Sequence, residues 1–454
     1  MTVAAAAVVA TAIVGLADTA ATAAPTDTSW TVYHGDAAGT GVSTAFRSVD
    51  TASRAWSSTA LDGQLYGSPL VYADRVYVAT ENDTVYALNA TRGSVVWSRH
   101  FASAVPSSDL PCGNIAPTVG ITGTPVIDPT RNEIFVVADE LVNGRPEHYL
   151  EGLSTTNGAI KLREHVDPPG SVPAALLQRT GLNLVDGRVV FGMGGNDGDC
   201  ATYRGRVISV KETGSKPAIF TVDNFPGDSQ GAIWMGGAAP VVDAKGNVWV
   251  SAGNGSVSNP SQGYDDSDSV LELSATGRLE QYFAPSTWPA NNGADLDMSA
   301  APVLFADGQV LIAGKSAIAY LLNGAHLGGI GHEQASLSSV CGNNIDGGIA
   351  VVGMTAYLPC LNGTVAIHVT KSPASLKVLW NANISGSGPP LVVAGLVWTV
   401  GKNGVLYGLD AATGQVRHQA NIGAVANDFT TPSVGAGFLL VASTNRVVAF
   451  RGTP

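Results

Sequence analysis

Residues 63–97 read GQLYGSPLVYADRVYVATENDTVYALNATRGSVVW and alternate apolar with polar positions in three short runs, 67–72, 75–80 and 84–89. Ala73-Asp74 and Glu81-Asn82-Asp83 separate these runs, and a fourth, 94–98, follows Thr91-Arg92-Gly93. A period of two, carried by Tyr, Val and Thr between Asp, Asn and Gly breaks, predicts antiparallel strands joined by tight hairpins. A sheet of this size leaves both faces uncovered and needs neighbours of its own kind. The pattern returns at 119–164, 181–222, 236–283, 299–323, 347–381 and 388–419, and a last copy at 431–450 stops after three strands. Internal repeats of roughly 40 residues, each one small sheet, predict an all-β, eight-bladed propeller of four-stranded antiparallel blades. The strand missing from the last copy is expected at the other end of the chain. Residues 53–59, SRAWSST, match the Trp-bearing run at 94–98 but follow no set of three strands. They are expected to pair with 444–450 and close the ring.

Composition agrees with this reading. A chain of 454 residues exceeds one ordinary core, but each blade of a ring adds its own interfaces. Only 13% of residues are charged, 45% are hydrophobic and Gly numbers 54, which suits short strands and tight turns. A net charge of -12 argues against nucleic acid or an anionic membrane surface as partner and leaves room for a cation or a neutral substrate.

Residues 1–24 are apolar from Val3 to Leu16 and then small, with an exit near Ala23 or Ala24. That run is too short to span a bilayer and reads as a signal peptide, leaving 25–454 as a single propeller without a transmembrane segment. No Lys or Arg precedes Arg47, so the usual positive start of such a leader is absent. Export to the periplasm, cell envelope or medium is still the expectation. With no Cys before Cys112, a lipid-modified cysteine at the cleavage site is excluded.

The four cysteines, Cys112, Cys200, Cys341 and Cys360, form an even set, which in an exported chain implies two disulfides. Cys341 and Cys360 flank the first two strands of one blade and are expected to pair locally. Cys112 and Cys200 lie in insertions of early blades and are left for each other. Motifs for zinc, covalent haem, a serine nucleophile elbow or a phosphate loop are absent.

The motif Tyr86-Ala87-Leu88, Thr91-x-Gly93, Trp97, echoed in Leu409-Asp410, Thr413-Gly414 and Leu379-Trp380, resembles the tryptophan-docking repeat of pyrroloquinoline-quinone (PQQ) propellers. The opening WTVYHGDAAGTG of residues 30–41 resembles their N-terminal segment, so the likeness covers nearly all of the mature chain. The repeat is specific for fold rather than function, because non-enzymatic relatives share it. Trp56, Trp97 and Trp380 are accordingly expected to plug the spaces between blades rather than touch a cofactor.

The region 232–315 holds the candidate chemistry: Trp234-Met-Gly-Gly, Gly253-Asn254-Gly, the acidic run 265–268, Asp295-Leu-Asp297 and Gly314-Lys315. In PQQ alcohol dehydrogenases the same order supplies a Trp under the quinone, an Asn on calcium, an Asp base and a cation beside the quinone oxygens. The resemblance implies Trp234 near the stacking position, Asn254 and Asp297 on Ca²⁺, Asp297 or Asp295 as base and Lys315 as the cation. Around Gly314-Lys315 and residues 320–323 the chain also resembles polyvinyl-alcohol dehydrogenases. A hard cation needs such oxygen donors and would polarise the accepting carbonyl. The Asp would take the alcohol proton, and the Lys would offset charge on the reduced ring.

Two features depart from that pattern. No two cysteines are adjacent, and the family's calcium Glu has no clear counterpart; Asp199, in the stretch 195–205, is the nearest carboxylate. Each residue also has a plainer reading. Asn254 suits a turn, Asp295 and Asp297 suit loop caps, 265–268 suits a solvated loop, and Lys315 suits the surface. The implied function is an exported PQQ- and calcium-dependent dehydrogenase that oxidises a small or polymeric alcohol and passes electrons to a separate acceptor. The alternative is a non-catalytic propeller that binds protein or cell envelope; a glycan-binding module lacks its aromatic stripe.

Overall fold

The computed structural model describes residue 1 and residues 29–222 and 225–453, so the expected signal peptide lies outside the described residues, Met1 apart. In blade 1 the strands Leu70–Tyr72, Arg75–Ala79, Thr84–Asn89 and Val95–His100 pair in sequence order. Ala73 and Asp74 both take positive φ, 47° and 60°, the two-residue turn whose twist matches the strands it joins. Seven further sheets follow: blade 2 over 126–165, blade 3 over 183–221, blade 4 over 241–284 and blade 5 over 303–337. Blade 6 spans 350–382, blade 7 spans 391–421, and blade 8 spans 433–453. The eight small antiparallel sheets stand in a ring. Inner strands pack on both faces and lose their alternation, whereas the outermost strand of blade 1 keeps it, facing blade on one side and solvent on the other.

The ring closes as expected. Trp56–Ser57 pairs antiparallel with the last strand, Trp56 opposite Ala449 and Ser57 opposite Val448. The preceding segment does more than its sequence indicated. Residues 30–43 run along the innermost strands, and their backbone joins Val71 of blade 1, Ile127 of blade 2, Val242 of blade 4, Val351 of blade 6 and Val392 of blade 7. These contacts satisfy edge amides that would otherwise face the central channel. Tyr33 and His34, both buried, stack within this segment with ring centroids 4.4 Å apart.

The tryptophans plug the blade interfaces. Trp56 Nε1 donates to Ala90 O at 2.9 Å, Trp97 Nε1 to Thr155 O at 3.0 Å and Trp380 Nε1 to Ala411 O at 3.0 Å. Each indole lies on a glycine of the next blade, Gly93, Gly158 or Gly414, where a Cβ would stand within 2.7 Å of the ring. These glycines also hold φ between 67° and 71°, so the glycine is required by both the turn and the docking.

The disulfides are Cys112–Cys200 and Cys341–Cys360, the pairs expected. Of the four strands expected in blade 5, the sequence reading located only three. The fourth strand of blade 5, Ala335–Leu337, follows a glycine-rich connection that breaks the alternation.

Blades 1 and 2 bury an unexpected set of ionisable groups. Glu81, Asp83, Asp139, Glu140, Glu151 and His148 are each at most 3% exposed. Arg163 clamps Glu140 at 2.7 and 2.8 Å and also meets Glu151, while His148 Nδ1 lies 2.8 Å from Asp167 and its Nε2 3.6 Å from Asp139. Burial pushes Glu81, Asp139 and Glu151 up to about 7. His148 rises to about 9, because Asp139 and Asp167 outweigh the burial that opposes its charge. The carboxyls favour the neutral form in the fold, so they lower stability as pH climbs from the ordinary carboxylate range to about 7. His148 stabilises below its ordinary pKa, and that contribution is lost as pH rises through about 9. Both effects run in one direction. The melting temperature is expected to be higher at pH 5.5 than at pH 8.5 by roughly 5 °C or more. Asp139→Asn should flatten that slope in a pH series of thermal melts; an unchanged slope would contradict the assignment.

Candidate functional site

Residues just past the second strand of a blade, and those linking one blade to the next, gather at one face of the ring. Asn254 follows Val248–Ala252 of blade 4, Lys315 follows Gln309–Ala313 of blade 5, and Asp297 lies in the connection between these blades. Together with Trp234 from the connection before blade 4, they bring the candidate chemistry to one place. A cavity of about 340 Å³ opens there, with Trp234, Asp297, Lys315, Asp346, Arg179 and Phe429 among its walls. Its size suits a small-molecule ligand.

Asp297 is the centre of the arrangement. Its Oδ1 accepts the Asn254 backbone N–H at 2.6 Å, and its Oδ2 lies 2.5 Å from Lys315 Nζ. The Asp297 carbonyl accepts the Lys315 N–H at 2.9 Å, so side chain and backbone of the two loops interlock. Glycine permits this approach: a Cβ at Gly253 would stand 2.4 Å from Asp297 Oδ1, and one at Gly314 would stand 2.2 Å from Asp297 O. Lys315 Nζ also meets Asp295 at 2.9 Å. Burial opposes the charge on Lys315, but Asp297 and Asp295 outweigh it and hold its pKa above the ordinary value. The two candidate bases differ sharply, since the Asp295 side chain is 68% exposed and that of Asp297 only 4%.

Trp234 donates its Nε1 to Gly195 O at 3.0 Å and so stands fixed in the wall. Asp199 is engaged elsewhere, accepting the Tyr203 hydroxyl at 2.7 Å. Its pKa is raised, first by burial and then by Asp297 and Asp295, against the hydrogen bond from Tyr203. Neither Asp199 nor Asn254 is among the wall residues of the cavity. Among the described residues no three His, Cys, Asp or Glu side chains group so as to hold a metal ion.

The acidic run 265–268 is not a solvated loop. Asp265, Ser267 and Asp268 are each at most 1% exposed. The insertion folds back on the turn at Asn254: Asp268 N donates to Gly253 O at 2.8 Å, and the short helix Trp288–Gly293 braces both. From that helix Asn291 Nδ2 reaches Asp268 at 2.7 Å and Asn292 Oδ1 accepts Gly255 N–H at 3.0 Å. Burial lifts Asp268 to about 8. These side chains hold the turn that in turn holds Asp297.

Sequence reasoning missed Arg179, Asp346 and Phe429. Arg179 did leave a signal, as a lone base in the apolar stretch Leu176-Leu177-Gln178-Arg179-Thr180-Gly181-Leu182. Asp346 and Phe429 left none, because only ring closure sets them beside the first four blades.

Comparisons with known proteins agree on the architecture. The family described as outer membrane protein assembly factor BamB, of the PQQ-repeat type, matches residues 43–266. Polyvinylalcohol dehydrogenase of Sphingopyxis sp. (strain 113P3) is 24% identical over 434 residues, covering 80% of this chain. The match spans only 62% of that relative's length. The crystal structure of quinohemoprotein alcohol dehydrogenase from Comamonas testosteroni superposes with a TM-score of 0.72 at 15% identity, over 93% of this chain and 80% of that one. BamB from Moraxella catarrhalis superposes with a TM-score of 0.57 at 16% identity, over 88% and 97%. Among the described residues no helix is long and apolar enough to cross a membrane. With eight blades, interfaces plugged by Trp56, Trp97 and Trp380, a ring closed from its N-terminal end and these likenesses in sequence and shape, the chain is similar to the PQQ-type β-propellers.

Proposed function

We propose that this chain is an exported dehydrogenase that oxidises a small or polymeric alcohol with PQQ bound in the ring-face cavity, and passes the electrons to a separate acceptor. The observation that carries the reading is the convergence of Trp234, Asp297 and Lys315, from separate loops, on one cavity. A bound quinone supplies the two-electron acceptor for such an oxidation. The residues around it have distinct tasks. Trp234 offers an aromatic wall, and Lys315 holds a positive charge where a reduced ring gains a negative one. Asp297, fixed by Asn254 N–H and Lys315, is the buried carboxylate to which the alcohol hydroxyl gives its proton. Asp295 steadies Lys315 from the solvent side.

Calcium fits less well than the quinone. Of the three residues expected to hold it, Asn254 and Asp297 stand together, whereas Asp199 is turned to Tyr203. Both Asp297 oxygens already face donors, so the described residues offer no preformed oxygen shell.

Titration with PQQ, with and without Ca²⁺, followed by tryptophan quenching and by dye reduction with primary, secondary and polymeric alcohols, tests the reading. Binding with turnover supports it. Absence of binding at micromolar PQQ with excess Ca²⁺ removes it and leaves a non-catalytic binding scaffold. The match to BamB over 43–266 favours that second reading.

A further inference from the structure

Arg179 is a buried cation without a counter-ion. Its side chain comes from the connection between blades 2 and 3 and is 9% exposed, yet it forms part of the cavity wall. Its Nη2 is covered and has no hydrogen-bond partner, and no carboxylate among the described residues lies within ion-pair distance of it. Among the described residues, aromatic faces attend it, Tyr66 at 5.6 Å and Phe429 at 5.2 Å from the guanidinium carbon. Tyr66 and then Glu81 act on its charge from a distance; Glu81 accepts with Oε2 from Gly120 N–H at 2.8 Å and from Thr122 at 3.1 Å, and forms no ion pair with Arg179. The backbone makes room for the guanidinium at Gly237, where φ is 86° and a Cβ would stand 2.8 Å from Nη1. Taking a guanidinium out of water without a partner is strongly unfavourable, so a site that keeps one is built for an anion that arrives from outside.

The other charges in the wall say where that anion goes. Asp197, Asp297, Asp346 and Asp428 line the same cavity, and its second cation, Lys315, is held by Asp295 and Asp297. An oxyanion is repelled along the acidic side and welcomed only at Arg179. We propose that Arg179 is the receptor for a carboxylate, or similar planar oxyanion, on the ligand of this cavity. It thereby orients that ligand with its acid group on Arg179 and its remaining length toward Asp297. Bidentate pairing to a guanidinium suits a carboxylate geometrically. The proposal goes beyond the quinone reading and does not need it, because the acid can belong to a cofactor or to a hydroxy-acid substrate.

Calorimetry with oxalate against its neutral counterpart oxamide tests the charge requirement on the wild-type protein, without any variant. Oxalate should bind and raise the melting temperature, and oxamide should do neither. Arg179→Gln should weaken oxalate by roughly 30-fold or more, and Arg179→Lys by less, because the charge stays while the fork is lost. Arg179→Gln should melt no lower than the wild type, since it removes a buried unpaired charge. Weaker binding of the PQQ trimethyl ester than of PQQ assigns the anion to the cofactor. A preference for glycolate over ethanol that disappears in Arg179→Gln assigns it to the substrate. Oxalate binding without PQQ binding keeps the receptor and removes the quinone reading. Equal binding of oxalate and oxamide, or undiminished oxalate binding by Arg179→Gln, overturns the proposal.

Discussion

Asp297→Asn is expected to bind PQQ as the wild type does and to turn over about 10²-fold or more slowly, read as dye reduction at saturating alcohol. The amide keeps the shape of the carboxylate, and its oxygen can still accept either the Asn254 N–H or the Lys315 ammonium. It cannot take a proton from a substrate hydroxyl. Lys315, relieved of one counter-charge, keeps Asp295 at 2.9 Å and so stays in place. Asp295→Asn is the internal control. Its side chain is mostly in water, where an ion pair contributes little, so turnover should fall by only a few-fold. Equal loss in the two variants would shift the proton acceptor away from Asp297. Unchanged turnover in Asp297→Asn would remove it from the chemistry altogether.

Deleting residues 29–60 is expected to abolish cooperative unfolding or to lower the melting temperature by roughly 10 °C or more. The deletion removes the strand that pairs with Val448 and Ala449, the indole that fills the gap above Gly93, and the segment bonded to the inner strands of five blades. Blade 8 would then present an open edge to blade 1. Trp56→Ala separates closure from plugging. It leaves the backbone pairing intact but empties the interface, at a cost of about 3–5 kcal/mol. Circular dichroism melts of the two variants should therefore rank deletion below substitution and both well below the wild type. A deletion variant that melts with the wild type would mean that the ring does not need this strand.

The legible part of this protein is local in origin. Alternation, two-residue turns at Asp, Asn and Gly, and the recurring Trp and turn glycine of the repeat are properties of neighbours along the chain. They sufficed for the eight blades, the closing strand at Trp56 and the interblade role of the tryptophans. The disulfides were legible for a related reason, since Cys341 and Cys360 bracket one hairpin and leave only one other pair. The order Trp234, Asn254, Asp297, Lys315 could also be read, because consecutive blades deliver consecutive loops to one face.

What the sequence could not carry is the charge state of spaces between distant segments. Residues 265–268 look like a water-exposed acidic run, and only the helix Trp288–Gly293 folding over them makes Asp265 and Asp268 interior. Asp295 and Asp297 are chemically alike and two positions apart, but the turn at Asn254 takes one inward and leaves the other in water. Arg179 and Phe429 share a cavity because the ring brings the connection before blade 3 to face the connection before blade 8. Burial and pairing of charge depend on which surfaces meet across the ring, and that is decided by closure. Sequence by itself determined the blades and their order. The tertiary structure alone decided which carboxylates are dry, which cation stands unpaired, and therefore where a ligand can be held.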